Sequence, residues 1–296
     1  MENLICNGIS KKYGKTLVLD HVNLEIEQGK IYGLIGRNGA GKTTLLSIIT
    51  AQNPATEGTV CYGEEPVWEN ASALSHLCFS REINPVTPFG QNTVKAKEYL
   101  KTAEIFYPGW DKEYAAQLVK LFQLDSKKKI AKMSKGMMSA LTIVVAMASK
   151  ADITILDEPV AGLDVVARDL FYRLVIDEYA RTGRTFLIST HIIEEAADLF
   201  EEVIFLDQGK LLFKENTQHL LERTVHVSGS EEEVDAATAG LSVFHEEKLG
   251  RSKAVTVFLE EGQQLWEGHD ISVQPVSLQN LFLARCGGGE GIGDRE

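Results

Sequence analysis

Eight consecutive residues, Gly36-Arg37-Asn38-Gly39-Ala40-Gly41-Lys42-Thr43, read G-x-x-x-x-G-K-[ST], the pattern of a loop that wraps a phosphate chain. Glycines let successive backbone N–H groups turn inward around an anion. A helix that starts at such a loop adds the positive end of its dipole. Lys42 is then expected to reach the β- and γ-phosphates of ATP, and the Thr43 hydroxyl to ligate Mg²⁺, with Thr44 next in the contact set. The context fits. An apolar run, Ile31 to Ile35, precedes the loop, and a helical pattern with Leu45, Leu46, Ile48 and Ile49 follows it.

Cleaving a phosphate chain also needs a second metal anchor and a group that orients water. Apolar Ile153-Thr154-Ile155-Leu156 ends in Asp157-Glu158-Pro159. Taken alone this is an ordinary polar turn. With the phosphate loop upstream, Asp157 is expected at the C-terminal edge of a buried strand, beside the phosphate-loop strand, holding Mg²⁺. Glu158 is expected to be the general base for the attacking water.

These groups need a scaffold. Residues 3–13 and 17–28 read as strands joined by a turn at Tyr13-Gly14-Lys15. In the second, Val22, Leu24 and Ile26 alternate with Asn23, Glu25 and Glu27, so one face is wet. The helix after the phosphate loop stops at Asn53-Pro54. Short strands are expected at 58–62 and 77–80, then a polar loop, Arg81 to Pro85. From 93 to 124 the period turns helical, with Phe106-Tyr107-Pro108-Gly109-Trp110-Asp111 between two helices. Another, strongly apolar helix runs to Ser149. Beyond the strand ending at Asp157 come a helix (165–179), a strand (185–189), a helix opened by His191, and a hairpin around Gln208-Gly209. Alternating strands and helices, with a helical block inserted over about 83–150, predict an α/β P-loop domain with an antiparallel β subdomain.

At this point the chain resembles the ATP-binding cassette (ABC) ATPases, over residues 2 to about 222. Met133-Ser134-Lys135-Gly136-Met137 is similar to that family's signature, usually Leu-Ser-Gly-Gly-Gln. Ala161-Gly162-Leu163-Asp164 resembles its D-loop, His191 its switch histidine, and Tyr13 the aromatic residue that stacks on adenine. The resemblance implies that two such domains meet head to tail around two ATP molecules. One supplies the phosphate loop, Asp157, Glu158 and His191; the other supplies Ser134 and Gly136 to the same γ-phosphate. It also implies a transmembrane permease partner, docked on the inserted helices through Phe106, Tyr107 and Trp110, and a place on the cytoplasmic face of the membrane. The aromatic stretch and the Ser-Lys-Gly signature further resemble a Gram-positive exporter branch that includes phenol-soluble modulin and antimicrobial peptide exporters.

Other roles stand beside these. Tyr13 can also be read as a strand-end aromatic and His191 as a helix-capping or exposed histidine, while Phe106 and Tyr107 read equally as a local core. Asp164 can be a helix N-cap as well as a D-loop residue. The sequence also departs from the family. Met137 stands for Gln, and Lys135, which either adds charge near the phosphates or faces solvent, stands for Gly. The loop that normally offers Gln to Mg²⁺ offers Glu82, with Gln91 as a second candidate.

Bulk properties narrow the classes. The 296 residues are 44% hydrophobic and 24% charged, as in ordinary globular chains, and carry a net charge of −12, which argues against nucleic acid as a partner. Residues 224–296 hold thirteen acidic and five basic residues. A second domain is therefore expected over 223–296, small, α/β and accessory, in regulation or dimer contact. Its strands are expected at 224–227, 254–259 and 271–273, its helices at 231–239 and 277–285, with a flexible tail from Gly287 to Gly293. The four cysteines are scattered, without metal spacing, as expected of reduced thiols. The N-terminus lacks a signal-peptide pattern, and no apolar run reaches the length of a membrane span. The sequence thus points to the ATPase subunit of an exporter of peptides, toxins or drugs, as a homodimer or heterodimer. A soluble ABC ATPase acting on ribosomes or DNA is the alternative, and a P-loop kinase a third.

Overall fold

The computed structural model describes residues 2–286 apart from Phe89, Glu261 and Glu267; the expected tail at Gly287 to Gly293 lies outside the described residues. The chain divides into two compact units, residues up to 191 with 202–214, and residues 192–201 with those from 215 onward.

The longer elements running through the first unit are β1 (Leu4–Tyr13), β2 (Thr16–Ile26), β3 (Ile31–Ile35), α1 (Lys42–Ile49), β4 (Glu57–Tyr62), β5 (Leu77–Ser80), α2 (Ala96–Phe106), α3 (Lys112–Leu121), α4 (Lys135–Ala148), β6 (Ile153–Asp157), α5 (Val165–Thr182), β7 (Thr185–Thr190), β8 (Glu202–Asp207) and β9 (Lys210–Asn216). β1 pairs antiparallel with both β2 and β4. In β2, Val22, Leu24 and Ile26 are buried while His21, Asn23 and Glu25 are exposed, the two-residue period of a half-wet sheet.

The larger sheet has six strands in the order β9-β8-β3-β7-β6-β5. β3, β6 and β7 are buried at every residue, as expected of parallel strands covered on both faces. β7 lies between β3 and β6, so Asp157 is not beside the phosphate-loop strand as the sequence suggested. Ser189 pairs in register with Asp157, and Thr190 with Ile35. The C-terminal ends of the three strands are level, and the loops that follow them converge at one edge. The helical insertion over α2 to α4 separates β5 from β6. α4 is buried nearly all round, from Ala140 to Ala148, because its sequence is apolar on every face.

The second unit contains β10 (Thr224–Ser230), α6 (Glu231–Ala237), β11 (Ser242–Leu249), β12 (Ser252–Phe258), β13 (Ile271–Pro275) and α7 (Leu278–Cys286). Its strands are antiparallel in the order β11-β12-β10-β13, with a helix crossing from β10 to β11. This is the strand order of the split β-α-β, ferredoxin-like arrangement, with the second helix following β13 instead of joining β12 to it. Val227, Val234, Val255 and Val257 form its core. Two of its rings, Phe258 and Phe244, stack on each other, with Arg223 over Phe258 and Arg285 over Phe244. The sequence reading missed β11. It is an edge strand with Glu246, Glu247 and Lys248 exposed, and a register shift between Val243 and His245 breaks its alternation.

Cys6, Cys61 and Cys78 are unpaired. Burial pushes the Cys6 thiol up to about 12, which leaves it inert.

Candidate active site

The loop between β3 and α1 is shaped by close backbone approach. A Cβ at Gly36 would lie 2.3 Å from the Leu206 carbonyl oxygen, so only glycine fits there. Gly41 sits at φ 104° as the N-cap of α1, in a region open to glycine. No side chain caps α1, and its first turn holds no acidic residue. Its first N–H groups therefore face the loop interior with only an anion's chemistry to suit them. Lys42 is buried, and its ammonium donates to the carbonyls of Gly36 at 2.6 Å and Arg37 at 3.4 Å. Burial lowers the Lys42 pKa, against the pull of Glu158 and Asp157, which raise it.

Thr43 Oγ donates to Asp157 Oδ2 at 2.7 Å, which joins the phosphate loop to the end of β6 across the intervening strand. Asp157 Oδ1 accepts from Ser189 Oγ, at the matching position of β7. Ser189 also accepts from the Glu158 amide, at 3.1 Å through its carbonyl and at 3.3 Å through its hydroxyl. Glu158 is held at φ 50°, an uncommon backbone for a residue with a side chain. Its carboxylate accepts from the backbone N–H of His191 at 3.4 Å and meets the His191 ring Nδ1 at 2.6 Å. Thr43, Asp157, Glu158 and His191 are thus one hydrogen-bonded set, with Ser189 tying its two carboxylate residues together, and the Lys42 ammonium, bonded to the loop's own carbonyls, feels the charge of both carboxylates.

Ser189 was not singled out from sequence as a site residue. The available signal was a serine ending an otherwise apolar strand, but its use depends on β7 lying between β3 and β6. The hard-oxygen pair of Thr43 and Asp157 suits magnesium, which takes one or two carboxylates and leaves its other positions to water and phosphate oxygens. Among the described residues no cluster of three His, Cys, Asp or Glu side chains competes for a metal.

A second cluster surrounds the start of α4. Ser134 caps it, accepting from the Met137 amide at 3.2 Å. A Cβ at Gly136 would fall 2.5 Å from the Gly162 carbonyl oxygen, so the signature backbone rests on the loop before α5. Asp164 caps α5 through the Ala167 amide at 2.9 Å. Ser139 Oγ donates to the Ala161 carbonyl at 2.6 Å. Glu82 joins this cluster rather than the Thr43–Asp157 pair: its carboxylate lies 3.6 Å from the Lys135 ammonium, and both side chains are more than half exposed. Ser134 and Gly136 share no hydrogen bond or ion pair with residues 36–44 among the described residues.

Tyr13 ends β1 half exposed, with the Lys11 ammonium 5.0 Å from its ring centre and the Asn53 amide on its hydroxyl. On the helical insertion, Phe106 and Tyr107 line a groove of about 200 Å³ with Phe79, Arg81, Tyr99 and Thr102. Trp110, expected in the same surface, is not among its lining residues.

A family profile described as "ABC transporter" matches residues 19–161. The ABC transporter ATP-binding protein YtrB of Bacillus subtilis is 26% identical over 95% of this chain and 97% of its own length. The bacitracin transport ATP-binding protein BcrA of Bacillus licheniformis is 29% identical over 95% and 96%. The Nod factor export ATP-binding protein I of Burkholderia orbicola is 31% identical over 74% of this chain and 72% of its own. Among solved structures, an ATP-binding subunit of an ABC transporter superposes with a TM-score of 0.63 at 25% identity, over 72% of this chain and 89% of that one. A dimeric bacterial ABC transporter cassette, 23% identical with a TM-score of 0.63 over 72% and 98%, shares the fold.

Proposed function

This chain belongs to the ABC transporter ATP-binding proteins and is an ATPase; from that premise we propose that it powers export through a separate transmembrane permease, working as one of two cassettes that clasp ATP between them. The observation that carries the reading is the continuous set from Thr43 through Asp157, Ser189 and Glu158 to His191. It brings a hydroxyl, two carboxylates and an imidazole to the edge of the sheet where the phosphate loop opens.

Each residue then has a task. The loop from Gly36 to Thr44, with Arg37, Asn38, Gly39 and Ala40 in its turn, presents backbone N–H groups to the phosphates, and Lys42 adds a cation to the terminal ones. Thr43 and Asp157 hold magnesium, which when bound supplies positive charge against the phosphate oxygens. Glu158 orients the attacking water and accepts its proton. His191, held on Glu158, fixes that carboxylate and donates toward the γ-phosphate. Catalysis of this kind is mostly positioning and charge stabilisation.

Ser134, Gly136 and Asp164 stand apart from this set in the same chain. That separation supports their use in trans, on the nucleotide held by the second cassette, whether an identical copy or a relative. Glu82 sits with Lys135 and is better read as part of that signature cluster than as a magnesium ligand. No described helix is long and apolar enough to cross a membrane. In this reading the permease is a separate chain, docked in the groove of Phe79, Tyr99, Phe106 and Tyr107, with this subunit on the cytoplasmic face. Nucleotide chemistry belongs to residues 1–222, and the ferredoxin-like unit within 223–296 is an accessory domain for regulation or dimer contact.

The Nod factor export relative supports export as the direction, and the cargo of this reading is a peptide or an amphipathic toxin. Reconstitution with the permease in vesicles tests this. Amphipathic peptides supplied on the side that holds this subunit, or in the membrane phase, are expected to stimulate ATP turnover and to appear in the lumen, and an ATPase indifferent to them, with no movement of peptide, contradicts the cargo assignment.

A further inference from the structure

We infer that Lys11 and Asn53 are positioning residues that turn Tyr13 into a fixed platform for the nucleobase and index that platform to the phosphate loop; this rests on the reading of Tyr13 as the residue on which adenine stacks. A tyrosine at the tip of a hairpin, 49% exposed, would ordinarily sample several ring orientations. Here two contacts fix it. The Lys11 ammonium stands 5.0 Å from the ring centre. The Asn53 side-chain amide donates to the phenol oxygen.

Lys11 is an unusual lysine, only 8% exposed. Burying an ammonium on a strand is costly unless it is partnered. Its partners are the Tyr13 ring and the Pro54 carbonyl, which it reaches at 2.5 Å. The cation lies over one face of the ring, and with the residue 49% exposed the opposite face is the one assigned to the base. It also draws ring density toward itself, which favours stacking of an electron-rich purine on the open side.

Asn53, and the Pro54 carbonyl that holds Lys11, come from the segment that follows α1. Asn53 donates its amide to Ser47 within α1 at 3.2 Å, and Gln52 does so at 2.8 Å. Thr56 binds back to β1, its amide on the Ser10 carbonyl and its hydroxyl under the Lys12 amide. The same helix carries the phosphate cradle at its N-terminus and, just past its C-terminus, Asn53 and the Pro54 carbonyl that fixes Lys11. The platform and the cradle are thereby held at one spacing by a helix of eight residues, about 12 Å long. A nucleotide that contacts both meets a preformed distance and loses less freedom on binding.

The test compares ATP with inorganic tripolyphosphate, which has the phosphates and lacks the base. Affinities are measured by calorimetry on the full chain. Lys11→Met and Asn53→Ala are each expected to weaken ATP about three- to tenfold while leaving tripolyphosphate unchanged. Lys11→Arg, which keeps a cation at the ring, is expected to retain ATP affinity. Tyr13→Phe, which keeps the ring and loses the Asn53 contact, is expected to match Asn53→Ala. Equal losses for ATP and tripolyphosphate would mean that Lys11 acts only on general structure or charge, and would overturn the inference. So would unchanged ATP affinity in both variants where Tyr13→Ala weakens it. Unchanged ATP affinity in Tyr13→Ala itself would instead overturn the platform reading on which the inference stands.

Discussion

Thr43 and Asp157, 114 residues apart in sequence, meet through a 2.7 Å hydrogen bond from the threonine hydroxyl to the aspartate carboxylate. The bond spans a strand, because β7 lies between β3 and β6. Ser189 fills the space between them and holds the other oxygen of Asp157. Ser189→Ala should therefore loosen the carboxylate without removing it. The expected result is a rise of about 10–100-fold in the magnesium concentration needed for half-maximal turnover, of the size seen when an outer partner of a metal ligand is lost. ATP binding without magnesium should change little, and calorimetry in EDTA checks that.

Lys42 gives a pH signature. Burial lowers its pKa below the ordinary lysine value of 10.5. Phosphates beside the ammonium favour its charged form, so nucleotide binding raises that pKa again. Between the two values, binding takes up a proton, and ATP affinity falls as pH rises through the lower, free-protein value. Calorimetry in two alkaline buffers of different ionisation enthalpy measures this uptake directly. Lys42→Ala should lose both the uptake and the tight binding.

Ser134 caps α4 and is assigned to the opposing nucleotide. Ser134→Arg places a bulky side chain where that γ-phosphate would lie. In the assembled transporter, turnover should fall about 100-fold or more, the scale of losing one oriented donor. ATP binding by the isolated chain should persist. Turnover that survives in the complex contradicts the trans role.

The groove on the helical insertion separates two aromatic positions. Phe106 lines it, with Tyr99 and Thr102 from the same helix; Trp110 does not. Phe106→Asp is expected to abolish co-purification with the permease while ATP affinity holds, and Trp110→Ala to weaken it less. A larger loss from Trp110→Ala would move the docking surface to the α2–α3 turn.

What could be read from the sequence follows from range. The phosphate loop and Asp157-Glu158 are contiguous motifs whose glycine, lysine and carboxylate roles are local, and the strand and helix that carry them show in the apolar pattern. The position of β7 is different. Parallel pairing joins segments more than a hundred residues apart, and nothing within 185–190 states which strands it will separate. Ser189 was hidden for that reason. Glu82 and Lys135 each looked like a departure from a family pattern; only the fold shows that they face each other. In the second unit the strands β10, β12 and β13 were legible, whereas β11, with charged residues in a row and a register shift between Val243 and His245, carried no clear alternation.

Glu158 is the residue on which the account turns, because Gln at that position keeps an acceptor for His191 and cannot take a proton from water. Purified Glu158→Gln, with magnesium, ATP and the permease, should hydrolyse about 10²–10⁴-fold more slowly and accumulate as a closed, ATP-bound pair of cassettes, seen as an ATP-dependent rise in the population of the short distance between spin labels on the two copies. Turnover at the normal rate, or no nucleotide-dependent closure, would contradict it.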